Sequence, residues 1–202
     1  MIEQQTIDTY LAALASREAT PGGGAAAGVS GAQACALMAM VCRLTHDHED
    51  EISGILAAAE STQKRFTLLA DEDMAMFKAV MDAYRMPKPS RAPALQAALR
   101  AAAEVPLAML DAVAGCIDDM EKLARIGNPN LITDVGIASI LMAATVRACR
   151  LNVLINTRSI DDETFVASAE QKIDRARDAI ARLKAVDTKV DGIITGRGLE
   201  PS

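Results

Sequence analysis

A chain of 202 residues is long enough to bury a sizeable core and reads most simply as one domain, 1–202, with 196–202 as a tail. Hydrophobic residues make up 50% of it and aromatic ones only 2%, with no Trp, so alanine and methionine must do much of the packing; this favours close-packed helices over sheets of β-branched residues. The formal charge of −6 argues against a general nucleic-acid binder, whose footprint is a basic patch, while leaving room for a local cluster that holds a small anion.

Met1 to Gln5 has neither a basic stretch nor an apolar run, so no signal peptide is expected. Thr6 to Arg17 carries Ile7, Tyr10, Leu11 and Leu14 at helical spacing, with Thr6 or Asp8 to cap its start. Thr20-Pro21 breaks that helix and Gly22-Gly23-Gly24 follows. The run beyond, Ala25 to Cys42, is almost uncharged; a helix there has no polar face and must be wrapped by other elements. Gly22 to Cys42 approaches the roughly 20 apolar residues that span a membrane. Its small residues, Ser30, Gln33 and the lack of an aromatic belt favour a buried central helix, with no membrane partner. Gly24, Gly28, Gly31 and Cys35 share one face and let a neighbouring backbone come close.

Arg43 to Glu51 is polar and acidic and reads as a loop. Its His46 and His48 stand beside Asp47 and Glu49, but no third cluster closes a metal site, so none is assigned. From Ile52 to Tyr84, apolar positions recur in steps of three and four through Phe66, Ala70, Phe77 and Val80, which predicts one long helix with a coiled-coil-like seam. Met86-Pro87-Lys88-Pro89 ends it. Arg91 to Arg125 is helical again, with a kink or break expected at Pro106. Gly127-Asn128-Pro129-Asn130 is a turn. Ile132 to Ile155, apolar on most sides, is a second central helix. Asp161 and Asp162 open a last amphipathic helix that Gly196-Arg197-Gly198 ends. Nothing reads as a strand hairpin, so the fold is all-α, a bundle of about five to seven long helices. The four cysteines (Cys35, Cys42, Cys116, Cys149) sit in apolar runs without metal spacing and read as small hydrophobes in a reducing cytoplasm.

Two sets of polar residues fall where the pattern wants apolar ones, and a run of glycines stands with them as a third candidate feature. Asp73 lies in the seam between Ala70 and Phe77; a carboxylate there is buried or lines a pocket, with its pKa raised, and suits general acid/base work. A one-residue phase shift would instead turn it to water, since Asp71 and Glu72 adjoin it. Asp134 and Asn152 are eighteen residues apart, about five turns, and Asn156 follows one turn later. One face of an apolar helix therefore carries a carboxylate and two amides, which either bond between helices or hold a ligand rich in ring nitrogens. Gly22, Gly23 and Gly24 open a helix whose first N–H groups can bind an anion or polar ring atoms, or simply pack tightly.

Taken in order, these pieces resemble the cyclodeaminase/cyclohydrolase family of one-carbon folate metabolism. The resemblance rests on Thr20-Pro21-Gly22-Gly23-Gly24 leading to Leu44-Thr45, on Asp73 with Phe77, and on Ala103-Glu104-Val105-Pro106-Leu107. It continues in Gly127-Asn128-Pro129-Asn130 with Thr133-Asp134 and ends in Leu151-Asn152-Val153-Leu154-Ile155-Asn156. It implies an all-helical homodimer without metal or nucleotide cofactor, acting on tetrahydrofolate derivatives, with Asp73 in the acid/base role. The expected pocket is formed by Gly22, Gly23, Gly24, the turn holding Asn128 and Asn130, and the Asp134, Asn152 and Asn156 face. The chain has no room for a transferase domain, which favours methenyltetrahydrofolate cyclohydrolase over formiminotetrahydrofolate cyclodeaminase; a non-catalytic helical folate-binding or scaffold protein is the alternative of another class.

Two departures from the family pattern stand out. Met76 replaces a usual Ala before Phe77, narrowing that face. His46-Asp47-His48-Glu49-Asp50 stands where the family often carries lysines, so a contact with the substrate's glutamate tail is lost if those lysines make it.

Overall fold

The computed structural model describes residues 1–196, and among them there is no strand. Six helices follow in order: α1 (Ile7–Leu14), α2 (Gly23–Arg43), α3 (Glu49–Arg85), α4 (Lys88–Ile126), α5 (Ile132–Thr157) and α6 (Glu163–Thr195), with short 3-10 turns at Ile2–Gln4 and Pro129–Leu131. The end of α6 is set by Gly196, whose φ of 64° is one that a glycine adopts without a steric penalty; Arg197 and Gly198 lie outside the described residues.

Thr6, not Asp8, caps α1, its side chain accepting from the Thr9 N–H, and α1 ends at Leu14 rather than Arg17. The loop after α2 is shorter than its polarity suggests. It spans 44–48 only, because Glu49, Asp50 and Glu51 complement the positive end of the α3 dipole and extend that helix backwards. Pro106 neither breaks nor ends α4, which runs unbroken on both sides of it. Val105, Pro106, Leu107, Met109 and Leu110 are all buried, and that packing outweighs the lost backbone bond.

α2 lies between α3 and α5, while α4 closes the bundle against α3, α5 and α6. The small face of α2 fulfils its expected purpose. A Cβ on Gly28 would stand 2.8 Å from the Ala70 Cβ, and one on Gly31 would stand 2.7 Å from the Phe66 ring. The core gathers Met38, Phe66, Leu69, Met109, Met120 and Met142, and takes in all four cysteines as free buried thiols. Both α2 and the stretch Pro129–Thr157 are long and apolar enough to cross a membrane by length and composition, and both are packed among other helices.

Two expectations about the apolar pattern change. Tyr84, expected in the α3 seam, is exposed, and Ala83 takes the buried position. α5, expected to be wrapped on most sides, leaves one stripe uncovered: Ile137, Ile140, Leu151 and Ile155 are 49%, 52%, 63% and 57% exposed. Its neighbours α2, α4 and α6 cover only part of its circumference.

Candidate active site

Where α2 begins, α3 and α5 continue past its end and bracket a gap. The result is a cavity of about 280 Å³ lined by Gly22, Gly23 and Gly24 from the α2 start, Asp73 and Phe77 from α3, Ala102 from α4, and Asn152 and Asn156 from α5. Ala19, Thr20, Val80 and Ile155 complete the wall.

The phase ambiguity around Asp73 is resolved by three separate partners. Asp71 accepts the Ile2 N–H at 2.9 Å and pins the N-terminal turn, while Glu72 pairs with Arg65 at 3.7 Å. Of the three, Asp73 turns into the cavity, and among the described residues it is the only ionisable side chain on the lining. Burial pushes its carboxyl above its usual value, and the nearby Ala25 backbone N–H pulls it partly back. This contact exists because residue 24 is glycine: a Cβ there would fall 1.9 Å from the Asp73 Oδ1. Gly23 has open space where its Cβ would be, so its surface belongs to the cavity rather than to packing. No side chain caps the start of α2, so its free N–H groups, at the positive end of the helix, are left for Asp73 and for a ligand.

On the opposite wall, the Asn156 Nδ2 donates to the Asn152 carbonyl at 2.9 Å and approaches the Ala102 carbonyl at 3.5 Å. Phe77 is 39% exposed, although its seam position predicts core. The signal was present in the sequence: Phe77 follows Asp73 by four residues, so the two share a face and line the same space.

The fold does not bring every expected residue to this cavity. Asn128 sits at the far end of α2. Its Nδ2 donates to the Leu44 carbonyl at 2.7 Å, its backbone N–H donates to the Thr45 Oγ1 at 2.9 Å, and its Oδ1 accepts the Asn130 N–H at 3.0 Å. Asn130 and Asp134 lie beside it. Along α5, Asp134 and Asn152 share a face but stand about 27 Å apart. Within one chain the cavity therefore has Gly22, Gly23, Gly24, Asp73, Asn152 and Asn156, without Asn128, Asn130 and Asp134. Among the described residues no three His, Cys, Asp or Glu side chains converge as a metal site needs; His48 opens α3, 3.9 Å from Glu51.

An all-helical bundle with a lone half-buried carboxylate at a glycine-rich helix start defines the class, and the comparisons give the family. The sequence profile described as formiminotransferase-cyclodeaminase matches residues 6–175. The chain is 36% identical over 202 aligned residues to the methenyltetrahydrofolate cyclohydrolase of Methylorubrum extorquens, covering 94% of this chain and 96% of that one. It is 32% identical over 177 residues to the formimidoyltransferase-cyclodeaminase of Sus scrofa, covering 82% of this chain and 33% of that larger protein. The crystal structure of formiminotetrahydrofolate cyclodeaminase from Thermotoga maritima superposes with a TM-score of 0.86 at 33% identity, covering 97% of this chain and 98% of that one. The chain belongs to the formiminotransferase-cyclodeaminase family.

Proposed function

We propose that this protein is a folate one-carbon enzyme, a methenyltetrahydrofolate cyclohydrolase that hydrolyses 5,10-methenyltetrahydrofolate to 10-formyltetrahydrofolate. The observation that carries this reading is Asp73: one carboxylate, raised by burial and set against the glycine-rich start of α2, in a cavity with no other ionisable group among the described residues. The full-length similarity to a protein named for this reaction supports it. The volume of about 280 Å³ lies just below the roughly 300–1,000 Å³ of typical small-molecule sites. It suits the fused-ring head of a folate, with the glutamate tail outside. The substrate's bridging amidinium is a cation, and an isolated carboxylate attracts it.

In the hydrolysis, water attacks the bridging carbon and Asp73 takes one of its protons as the C–O bond forms. Asp73 returns that proton to the departing ring nitrogen, N5, as the C–N bond breaks. The hydroxyl proton of the intermediate leaves to solvent, which balances a cation plus water going to a neutral formyl product and one proton. A raised pKa serves both steps, since the same group must accept and then donate. Asn152 and Asn156 orient the pteridine, Phe77 offers it an aromatic face, and the N–H groups of Gly23 and Gly24 meet its polar atoms. No metal or nucleotide cofactor takes part in this scheme. The site of action is cytoplasmic.

The active form is a homodimer joined along α5. Every exposed residue from Thr133 to Leu154 falls in steps of four and three: Thr133, Ile137, Ile140, Ala144, Arg147, Leu151, Leu154. That is a heptad seam with no partner among the described residues. Beside it runs a groove of about 350 Å³ whose rim carries Arg147, Lys184 and Asp187. Among the described residues none of these three is in an ion pair, so charges of both signs are free to pair across a two-fold axis. An antiparallel crossing at the small Ala144 sets Ile155, at the cavity mouth, opposite Thr133 of the partner subunit. The turn holding Asn130 and Asp134, remote from its own cavity, then reaches the partner's cavity.

The deciding measurement is turnover of methenyltetrahydrofolate against formiminotetrahydrofolate by the purified protein. Faster hydrolysis of the methenyl substrate is expected. Faster ammonia release from the formimino substrate overturns the assignment in favour of the cyclodeaminase reaction, and turnover of neither overturns catalysis.

A further inference from the structure

Pro106 lies in the interior of α4 yet leaves the helix unbroken, and its chemical consequence falls on one atom. Proline has no N–H, so the carbonyl four residues earlier loses its α-helical donor. That carbonyl belongs to Ala102, which is only 7% exposed and lines the cavity. A carbonyl so placed needs a partner. Among the described residues, it receives from outside the helix only the Asn156 Nδ2 at 3.5 Å, an amide already donating to the Asn152 carbonyl at 2.9 Å. The wall opposite Asp73 therefore holds an under-used acceptor, backed by an amide that can swing to a ligand.

We propose that Pro106 is a positioning residue that keeps the Ala102 carbonyl free to accept a hydrogen bond from the amino/N3–H edge of the substrate's pterin ring. The proposal rests on the folate reading above and deepens it. The ring is then held at that edge by Ala102 and Asn156, with its reacting bridge toward Asp73. Phe77 and the glycine N–H groups flank it.

Pro106→Ala restores an N–H that can recapture the Ala102 carbonyl. The expected result is an unusual pair of effects: a thermal midpoint at or above that of the wild type, and a KM for methenyltetrahydrofolate raised about tenfold, the size of one net hydrogen bond, with kcat much less changed. A merely structural proline would move the midpoint and leave KM alone, and an unchanged KM in a folded Pro106→Ala protein overturns the proposal. Calorimetry with tetrahydropterin and its 2-desamino analogue supplies a test that does not depend on the variant folding. The wild type should favour tetrahydropterin by about tenfold, and Pro106→Ala should reduce that preference toward one. Equal binding of the two pterins by the wild type sinks this proposal while leaving the folate site standing; binding of neither sinks both.

Discussion

At the scale of single residues, the site depends on a contest between burial and a helix start. Burial raises the Asp73 carboxyl and the Ala25 N–H lowers it, with burial the larger effect. A folded pKa above the unfolded one means that this group's stability contribution is fully present below the unfolded pKa and is lost as pH rises through the folded pKa. At neutral pH the ionised Asp73 is thus a cost to folding. Asp73→Asn should lower turnover by about 10²-fold or more, the usual size of a general acid/base contribution. Its thermal midpoint at pH 7 should be no lower than that of the wild type, and the gain should vanish at acidic pH. A midpoint well below wild type at pH 7 would contradict the burial argument. Gly24→Ala tests the same geometry from the other side. A Cβ 1.9 Å from the Asp73 Oδ1 must displace the acid, so kcat should fall at least tenfold, while the α-helix itself tolerates or prefers alanine by about 1 kcal/mol. Retained turnover in Gly24→Ala would separate Asp73 from the chemistry.

At the scale of elements, α2 is the organising piece because its two ends do different work. Its start opens the cavity and its end is tied down by the 128 turn. The Thr45 hydroxyl donates to the Val41 carbonyl at 2.8 Å and accepts the Asn128 N–H at 2.9 Å, while the Asn128 Nδ2 satisfies the Leu44 carbonyl. Asn128→Ala removes two hydrogen bonds made by its side chain, and should destabilise the fold by about 1–3 kcal/mol in chemical denaturation. The turn is remote from the cavity of its own chain but reaches the partner's cavity in the proposed dimer, and Asn128 accepts the Asn130 N–H within it, so KM for the folate should rise as well. The helix packing face gives a contrasting result. In Gly31→Ala the new Cβ would press 2.7 Å from the buried Phe66 ring, so a loss of about 1–3 kcal/mol is expected there too, from overpacking rather than lost bonds. These two elements were legible in the sequence to different degrees. The small face of α2 was read from spacing alone, since glycines three and four apart must share a side. Asn128 could be read only as a turn residue, because which carbonyl it satisfies depends on a contact 84 residues away in the chain.

At the scale of the whole molecule, the proposal that two chains join along the exposed seam of α5 is tested by mass. Light scattering without detergent should give the wild type twice the 21.3 kDa chain mass. Ala144→Arg, at the proposed crossing point, should give the single-chain mass with unchanged helical circular dichroism. A wild type at the single-chain mass, or an Ala144→Arg protein still at twice that mass, contradicts the α5 interface. Mixed dimers test the sharing of sites. If the 130–134 turn serves the partner's cavity, Asp73→Asn and Asp134→Asn proteins, each impaired alone, should recover about a quarter of wild-type turnover when refolded together. Half of the dimers are then mixed, each with one of its two sites intact.

What the sequence determined by itself was local and periodic. Helix positions, the apolar character of α2 and α5, the small face between α2 and α3, and the out-of-place polarity of Asp73, Asn152 and Asn156 all follow from spacing along one chain and the geometry of one helix. Tertiary structure alone decided which of those polar residues meet. Asp134 and Asn152 share a helical face, but a shared face says nothing of the length between them. Phase arithmetic could not choose among Asp71, Glu72 and Asp73; the Ile2 N–H, Arg65 and the open end of α2 did. Pro106 shows the same limit. Its missing N–H was evident from the residue type, but the approach of Asn156 on α5 to the Ala102 carbonyl on α4 is set by packing alone. Local sequence fixes torsions and faces, and a site is made by distances between segments that only packing sets.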